Sequence, residues 1–168
     1  MLALLLITAA TLAQPAPPPA TGFRADFLRD LDEVQKKIID LATVMPAEKY
    51  SWRPAQGVRS VSEVYMHIAG GNYFQASFLG AKTSSNHLEE ITKKARVLEE
   101  LRKSFDQLRT AVLMMSDADL DKPIKMPGND TTVRGALLTA LTHLHEHLGQ
   151  SIAYARINGV VPPWSGRE

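Results

Sequence analysis

Thr142-His143-Leu144-His145-Glu146-His147-Leu148-Gly149-Gln150 holds three of the chain's five histidines, inside a long segment of helical apolar spacing. His143 and His147 are four residues apart, so on a helix their imidazoles lie one above the other. That spacing lets two imidazoles reach one metal ion, as in helical zinc motifs. His145 is turned about 200° from His143, at roughly 100° per residue, and points elsewhere. Around this stretch, Val133, Leu137, Leu141, Leu144, Leu148 and Ile152 recur every three or four residues, which predicts the core stripe of an amphipathic helix capped by Thr131 or Thr132. Ala136, Ala140, His143, His147, Gln150 and Tyr154 make a neighbouring stripe, small below the histidines and polar above them, suited to line a cavity. Asn158-Gly159 ends the helix, and Val160 to Trp164 is an extended apolar tail that needs a surface to lie on.

Three more segments share this periodicity. Phe23, Phe27, Leu31, Val34, Ile38 and Leu41 form one apolar stripe, with Arg24 and seven further charged residues around the rest. Thr21 can cap this helix and Pro46 stops it. Residues 47–57 read as a connector whose Tyr50 and Trp52 pack across one end of the domain. Ser60-Val61-Ser62-Glu63 is a capping box that opens a second helix, on which Val64, His67, Gly71, Phe74 and Phe78 share a face. Gly70-Gly71 in mid-helix costs stability relative to alanine. A neighbouring helix or a ligand must approach the backbone there, and close helix packing is the commoner cause. Gly80 suits the stop. After a short turn at 87–91, Thr92 can cap a third helix, whose Leu98, Leu101, Phe105, Leu108, Val112 and Met115 make a heptad-like seam. Residues 116–130 read as loop, with turns at Ser116-Asp117 and Pro127-Gly128-Asn129. No segment reads as a strand and there is no internal repeat. The expected fold is all-α, a four-helix bundle.

Residues 1–13 are uncharged and apolar, and Thr11-Leu12-Ala13 before Gln14 has the small-x-small pattern of a signal-peptidase site. Residues 1–13 are therefore expected to be a signal peptide, 14–20 a Pro/Ala linker and 21–168 the domain. This implies an exported chain, periplasmic or secreted. The apolar run is short for a membrane-spanning helix, and nothing else in the chain could span a bilayer. The charge is balanced, 19 basic against 18 acidic residues, so neither nucleic acid nor a membrane surface is an expected partner. There is no cysteine, which excludes disulfides, thiolate ligands and a cysteine nucleophile.

His67 on the second helix could join the His143/His147 pair. Three imidazoles with an open position make the arrangement of a catalytic metal site. Such a metal lowers the pKa of a bound water or polarises a substrate oxygen or sulfur, and zinc, nickel or iron would suit the ligands. On pattern alone, a histidine pair on a helix is more often a solvated face or a partly buried polar patch. Glu63, one turn before His67, could serve as a general base or as a carboxylate supporting the ligands, although its capping role already explains it. Gln150 could orient a ligand or substrate, or lie exposed. His87 and His145 read as exposed, Trp52 and Trp164 as packing anchors, and Asp119 and Asp121 as ordinary turn residues. No nucleophile elbow, phosphate loop or Cys-His arrangement is present.

His143-x-x-x-His147-Leu-Gly-Gln150, with Ser62 to Ala69 on the second helix, resembles the DinB-like family. Trp52-Arg53-Pro54-Ala55 and the Arg156-Ile157-Asn158-Gly159 segment with its Val-Val-Pro-Pro-Trp tail add to the resemblance, which runs over about residues 22–166. The resemblance implies a four-helix bundle in which His67, His143 and His147 bind a divalent metal, usually zinc or nickel. It also implies a homodimer and an activity among metal-dependent hydrolases and thiol S-transferases, the latter including bacillithiol transferases and mycothiol-dependent maleylpyruvate isomerase. An exported chain does not normally meet cytosolic thiols, which weakens the transferase reading. The sequence therefore suggests a metal-dependent enzyme acting on a small molecule. The alternative is a non-catalytic binding or assembly bundle of the cell envelope with a structural or vestigial site.

Overall fold

A computed structural model describes residues 18–83 and 87–166. The expected signal peptide at 1–13 and the first part of the linker, 14–17, lie outside the described residues. Four helices dominate: α1 (Phe23–Val44), α2 (Val61–Phe78), α3 (Lys94–Met114) and α4 (Val133–Ile157). Each packs chiefly on two others, α1 on α3 and α4, and α2 on α3 and α4. The connector from α1 to α2 therefore crosses the bundle diagonal, and α2 lies between α3 and α4. No helix among the described residues is long and apolar enough to cross a membrane.

The apolar stripes meet in one core, in which Leu31, Val34, Ile38, Leu101, Phe105 and Leu144 are fully buried. The connector packs as expected. The Tyr50 hydroxyl donates to the Ala42 carbonyl at 2.7 Å, and Trp52 stacks edge-on against Tyr154 with ring centres 5.4 Å apart. The C-terminal tail lies on α1, where Trp164 and Pro163 face Glu33, Lys37 and Asp40.

Two cations cap the facing ends of α1 and α3, while Arg109 of α3 pairs with Asp32 and Gln35 of α1 midway, and periodicity alone misplaces the first of the capping pair. Arg24 is 7% exposed, rather than lying on the solvent face. Its guanidinium donates to the Val112 carbonyl at 3.1 Å and pairs with Asp117 at 3.4 Å. At the other end, the Lys94 ammonium donates to the carbonyls of Thr43 and Met45. Each helix thus places a cation from its first turn on the carbonyls that end the other. The last carbonyls of a helix lack intrahelical partners and carry the negative end of its dipole. The exchange therefore fixes an antiparallel pair.

Between α2 and α3 runs a buried polar seam. Asn72 donates to Ser104 at 3.1 Å, and the Tyr73 hydroxyl donates to the Glu100 carboxylate at 2.5 Å. Burial pushes the Tyr73 hydroxyl well above the ordinary phenol range, and the Glu100 carboxylate adds to that shift.

The helix ends follow their expected chemistry with two changes. Ser60 and Glu63 form the full capping box, and Thr132 caps α4 through the Gly135 amide. However, Gly22 rather than Thr21 precedes α1, and Lys93 rather than Thr92 precedes α3. Gly80 follows α2 at φ +86°, the left-handed stop.

One element contradicts the reading of 116–130 as pure loop. β1 (Pro123–Met126) and β2 (Asn129–Thr132) form a two-stranded antiparallel hairpin, with Pro123 opposite Thr132 and Met126 opposite Asn129. The turn at Pro127-Gly128 lies where expected, with Gly128 at φ +83°. A proline followed by a glycine at that angle fits a type II turn, whereas two-residue hairpins usually announce themselves by Asn-Gly or Asp-Gly. Only Ile124 and Met126 supply an apolar alternation, and two residues are too few to signal a strand.

Replacing Arg24 by methionine keeps the stem and removes the bonds to α3. The expected loss is about 2 kcal/mol of unfolding free energy, as for charged hydrogen bonds, measured by urea denaturation. A change under about 0.5 kcal/mol, the range of neutral surface substitutions, would contradict the cross-capping.

Candidate metal centre

His67 lies in the second turn of α2, and His143 and His147 lie in the middle of α4. The three rings pack edge to face, with centres 4.9 Å apart for His67 and His143, 4.6 Å for His67 and His147, and 4.5 Å for His143 and His147. One ring nitrogen from each lies within 4.8 Å of the other two, a group able to hold a metal ion. The Nε2 atoms of His67 and His143 are 3.2 Å apart. Two nitrogens on a tetrahedral zinc at ~2.0–2.1 Å are about 3.3 Å apart, so that pair fits.

Gly71 explains how His143 comes so close. A Cβ built at position 71 would lie 2.8 Å from His143 Nδ1 and closer still to Cε1. The imidazole therefore lies against bare α2 backbone. The sequence suggested that something approaches here and favoured a neighbouring helix; the group that approaches is the histidine itself. At Gly70 the same Cβ would meet only Leu88 Cδ1, at an ordinary 3.6 Å. Of the two glycines, one serves the site.

A hydrogen-bond chain orients His147, which is 7% exposed. The Arg59 carbonyl can only accept, so the Tyr154 hydroxyl donates to it, at 3.1 Å. The Tyr154 oxygen then accepts from the Gln150 amide nitrogen at 3.1 Å. This directs Gln150 Oε1 to His147 Nδ1 at 2.8 Å, where the oxygen can only accept. Nδ1 must carry a proton, and of the two neutral tautomers this bond selects the one with its lone pair on Nε2. Gln150, a candidate from sequence, thus touches a histidine of the triad. Tyr154 was visible only as a member of the stripe beside the histidines, and the Arg59 carbonyl carried no recognisable signal, because their roles depend on α4 lying against the start of α2.

The electrostatics favour the neutral form of His67 and His143. Burial lowers the pKa of His143 to about 4, with the nearby His147, His67 and Arg59 contributing. Burial also lowers that of His67, followed by the Arg59 charge and then His147. Neutral imidazole is the form that binds metal.

The remaining sequence candidates separate clearly. The Glu63 carboxylate accepts from the Ser60 amide at 2.7 Å and from Arg53 at 2.9 Å. Those bonds, led by the Ser60 amide, hold it below the usual carboxylate range. It is a capping and ion-pairing group that also borders the cavity beside His67. His145 is exposed. His87 is also exposed and pairs with Glu90. Asp119 caps Ser116, and Asp121 pairs with Arg134. Beside His67 opens a cavity of about 370 Å³ whose wall includes Arg59, Met66, Gly70 and Leu88.

The DinB superfamily pattern matches residues 30–151, which include all three histidines. The chain belongs to the DinB superfamily. It is 25% identical over 124 residues to the uncharacterised protein YjoA of Bacillus subtilis strain 168, covering 71% of this chain and 80% of YjoA. Its fold matches the crystal structure of a DinB-like protein from Bacillus cereus ATCC 10987, with a TM-score of 0.72 at 21% identity, over 82% of this chain and 93% of that one. It also matches the YjoA crystal structure, with a TM-score of 0.64 at 18% identity, over 80% and 92% of the two chains. At these identities the structural likeness shows the fold alone.

Two substitutions test this geometry. Gly71→Ala is expected to keep the helical circular-dichroism spectrum and weaken zinc or nickel binding at least about tenfold, in the range of perturbed metal-site support. Gly70→Ala is expected to bind metal as the parent does and to be up to ~1 kcal/mol more stable. Equal affinities in a chelator competition would show that His143 does not need the bare backbone. Separately, Gln150→Leu removes the acceptor at Nδ1, and the same competition should show a loss of about 10–100-fold. An unchanged affinity would remove Gln150 from the site.

Proposed function

We propose that this chain is a divalent-metal-dependent enzyme in which His67, His143 and His147 hold the ion, and that it hydrolyses or transfers a group on a small-molecule substrate. The observation that carries the reading is the convergence of three imidazoles with His67 in the wall of an open cavity. A sealed triad would suit a structural ion, whereas an adjoining cavity leaves room for a substrate. Zinc, nickel and iron all suit an all-nitrogen donor set, and the resemblance to DinB-like proteins puts zinc or nickel first. A divalent ion there supplies Lewis acidity, polarising a substrate oxygen or sulfur or acidifying a water.

The chain's own residues do the rest. Gly71 lets His143 approach, Gln150 and Tyr154 hold His147 with Nε2 free, and Met66 and Leu88 give the cavity an apolar wall. Glu63 is a poor candidate for a base, because its carboxylate is engaged by the Ser60 amide and Arg53. We further infer export from residues 1–13. An exported chain works away from cytosolic low-molecular-weight thiols, which favours hydrolysis over thiol transfer.

The test is a screen of the zinc-loaded and nickel-loaded protein against ester, amide, lactone and thiol-transfer substrates. Any turnover is expected to vanish with a chelator, return with the metal and be absent from a folded His143→Ala protein. Turnover that survives both treatments would refute a role for the triad in catalysis.

A further inference from the structure

Arg59 occupies an unusual position beside the histidines. Its backbone is fixed from several sides. Its carbonyl accepts from Tyr154, the next residue is the N-cap Ser60 of the capping box, and the Val61 amide donates to Trp52. Its side chain is exposed and borders the cavity beside His67. Among the described residues, its guanidinium makes no ion pair and donates no hydrogen bond. Arg53, six residues earlier, differs: it is engaged by Glu63 and the Val58 carbonyl. Arg59 and His67 border the same cavity.

The other wall groups narrow what could bind. Met66, Gly70 and Leu88 are apolar or bare. Glu63 already accepts from Arg53 and the Ser60 amide, which leaves Arg59 and Glu89 as the charges of the wall without a partner among the described residues. A guanidinium offers a planar fork of donors that matches a carboxylate or phosphate. A cavity of about 370 Å³ lies within the size range of small-molecule sites.

We propose that this cavity binds a small amphiphilic anion, with its carboxylate or phosphate on Arg59 and its apolar body against Met66 and Leu88. The body then lies beside His67. For the position of the reacting atom the proposal rests on the metal-centre reading, but the anion contact itself does not. Arg59 is thereby a substrate-binding residue that selects acids over neutral analogues of the same length.

The test uses hexanoate and hexanol as probes, titrated calorimetrically into zinc-loaded and zinc-free protein, wild type and Arg59→Gln. Arg59 is exposed and its side chain holds no bond among the described residues, so the variant should fold and keep its zinc. Wild type is expected to bind hexanoate more tightly than Arg59→Gln by about tenfold or more, as for loss of a charged hydrogen bond. Hexanol should not distinguish the two proteins. Because a carboxylate can also reach the ion, the zinc-free pair isolates the contribution of Arg59. Equal hexanoate affinities in the zinc-free pair, or no measurable binding to either, would overturn the proposal. Failure of the metal reading would look different, as a protein that takes up no zinc yet still shows the Arg59-dependent preference for hexanoate.

Discussion

Where α2 meets α4, the backbone at Gly71 lies directly against the His143 imidazole, and this contact determines the geometry of the site. No other residue type leaves the space, since a single methyl group at position 71 would overlap the ring. The contact brings a histidine of α4 to Nε2–Nε2 distance from His67 one turn earlier on α2. His147 follows automatically, because it lies one helical turn beyond His143 on the same face. A glycine inside a helix destabilises it by roughly 0.5–1 kcal/mol relative to alanine, a cost offset elsewhere by the capping box at Ser60 and the buried seam to α3.

The rest of the bundle keeps α2 in place for that contact. α2 lies between α3 and α4, held by Asn72 and Tyr73 on one side and by the triad on the other. α1 and α3 are tied as an antiparallel pair by cations placed on each other's last carbonyls. At the start of α2, Arg59 contributes twice. Its carbonyl anchors the chain of bonds that sets the His147 tautomer, and its side chain puts a positive charge at the cavity. The supporting structure and the proposed substrate contact therefore meet in one residue.

Much of this was legible from residue spacing. The four helices follow from apolar residues every three or four positions, and the His143/His147 pair follows from a separation of four. The residues alone offered His67 as a third partner for that pair, the resemblance to DinB-like proteins implied the same three, and the structure brings their rings together. Gly71 was visible as an anomaly, but its partner was not. The burial of Arg24 was hidden because a helical stripe shows which face is apolar, not which neighbouring helix ends beside a given arginine. The relay through Tyr154 to the Arg59 carbonyl was hidden for the same reason: it joins residues 95 positions apart. The β1–β2 hairpin escaped because its turn lacks the usual residues and its strands carry almost no apolar pattern. Local periodicity thus defined the helices, whereas the order in which they pack determined the partners.

The proposed centre has three imidazoles, with His147 bonding through Nε2, around one divalent ion. The most direct measurement is anomalous diffraction at the zinc edge from crystals of the untagged protein grown with zinc. The account predicts one strong peak about 2.0–2.1 Å from a ring nitrogen of each of His67, His143 and His147, with His147 Nδ1 still bonded to Gln150. A fully zinc-soaked crystal with no peak among the three rings, or with the ion on His147 Nδ1, would contradict it.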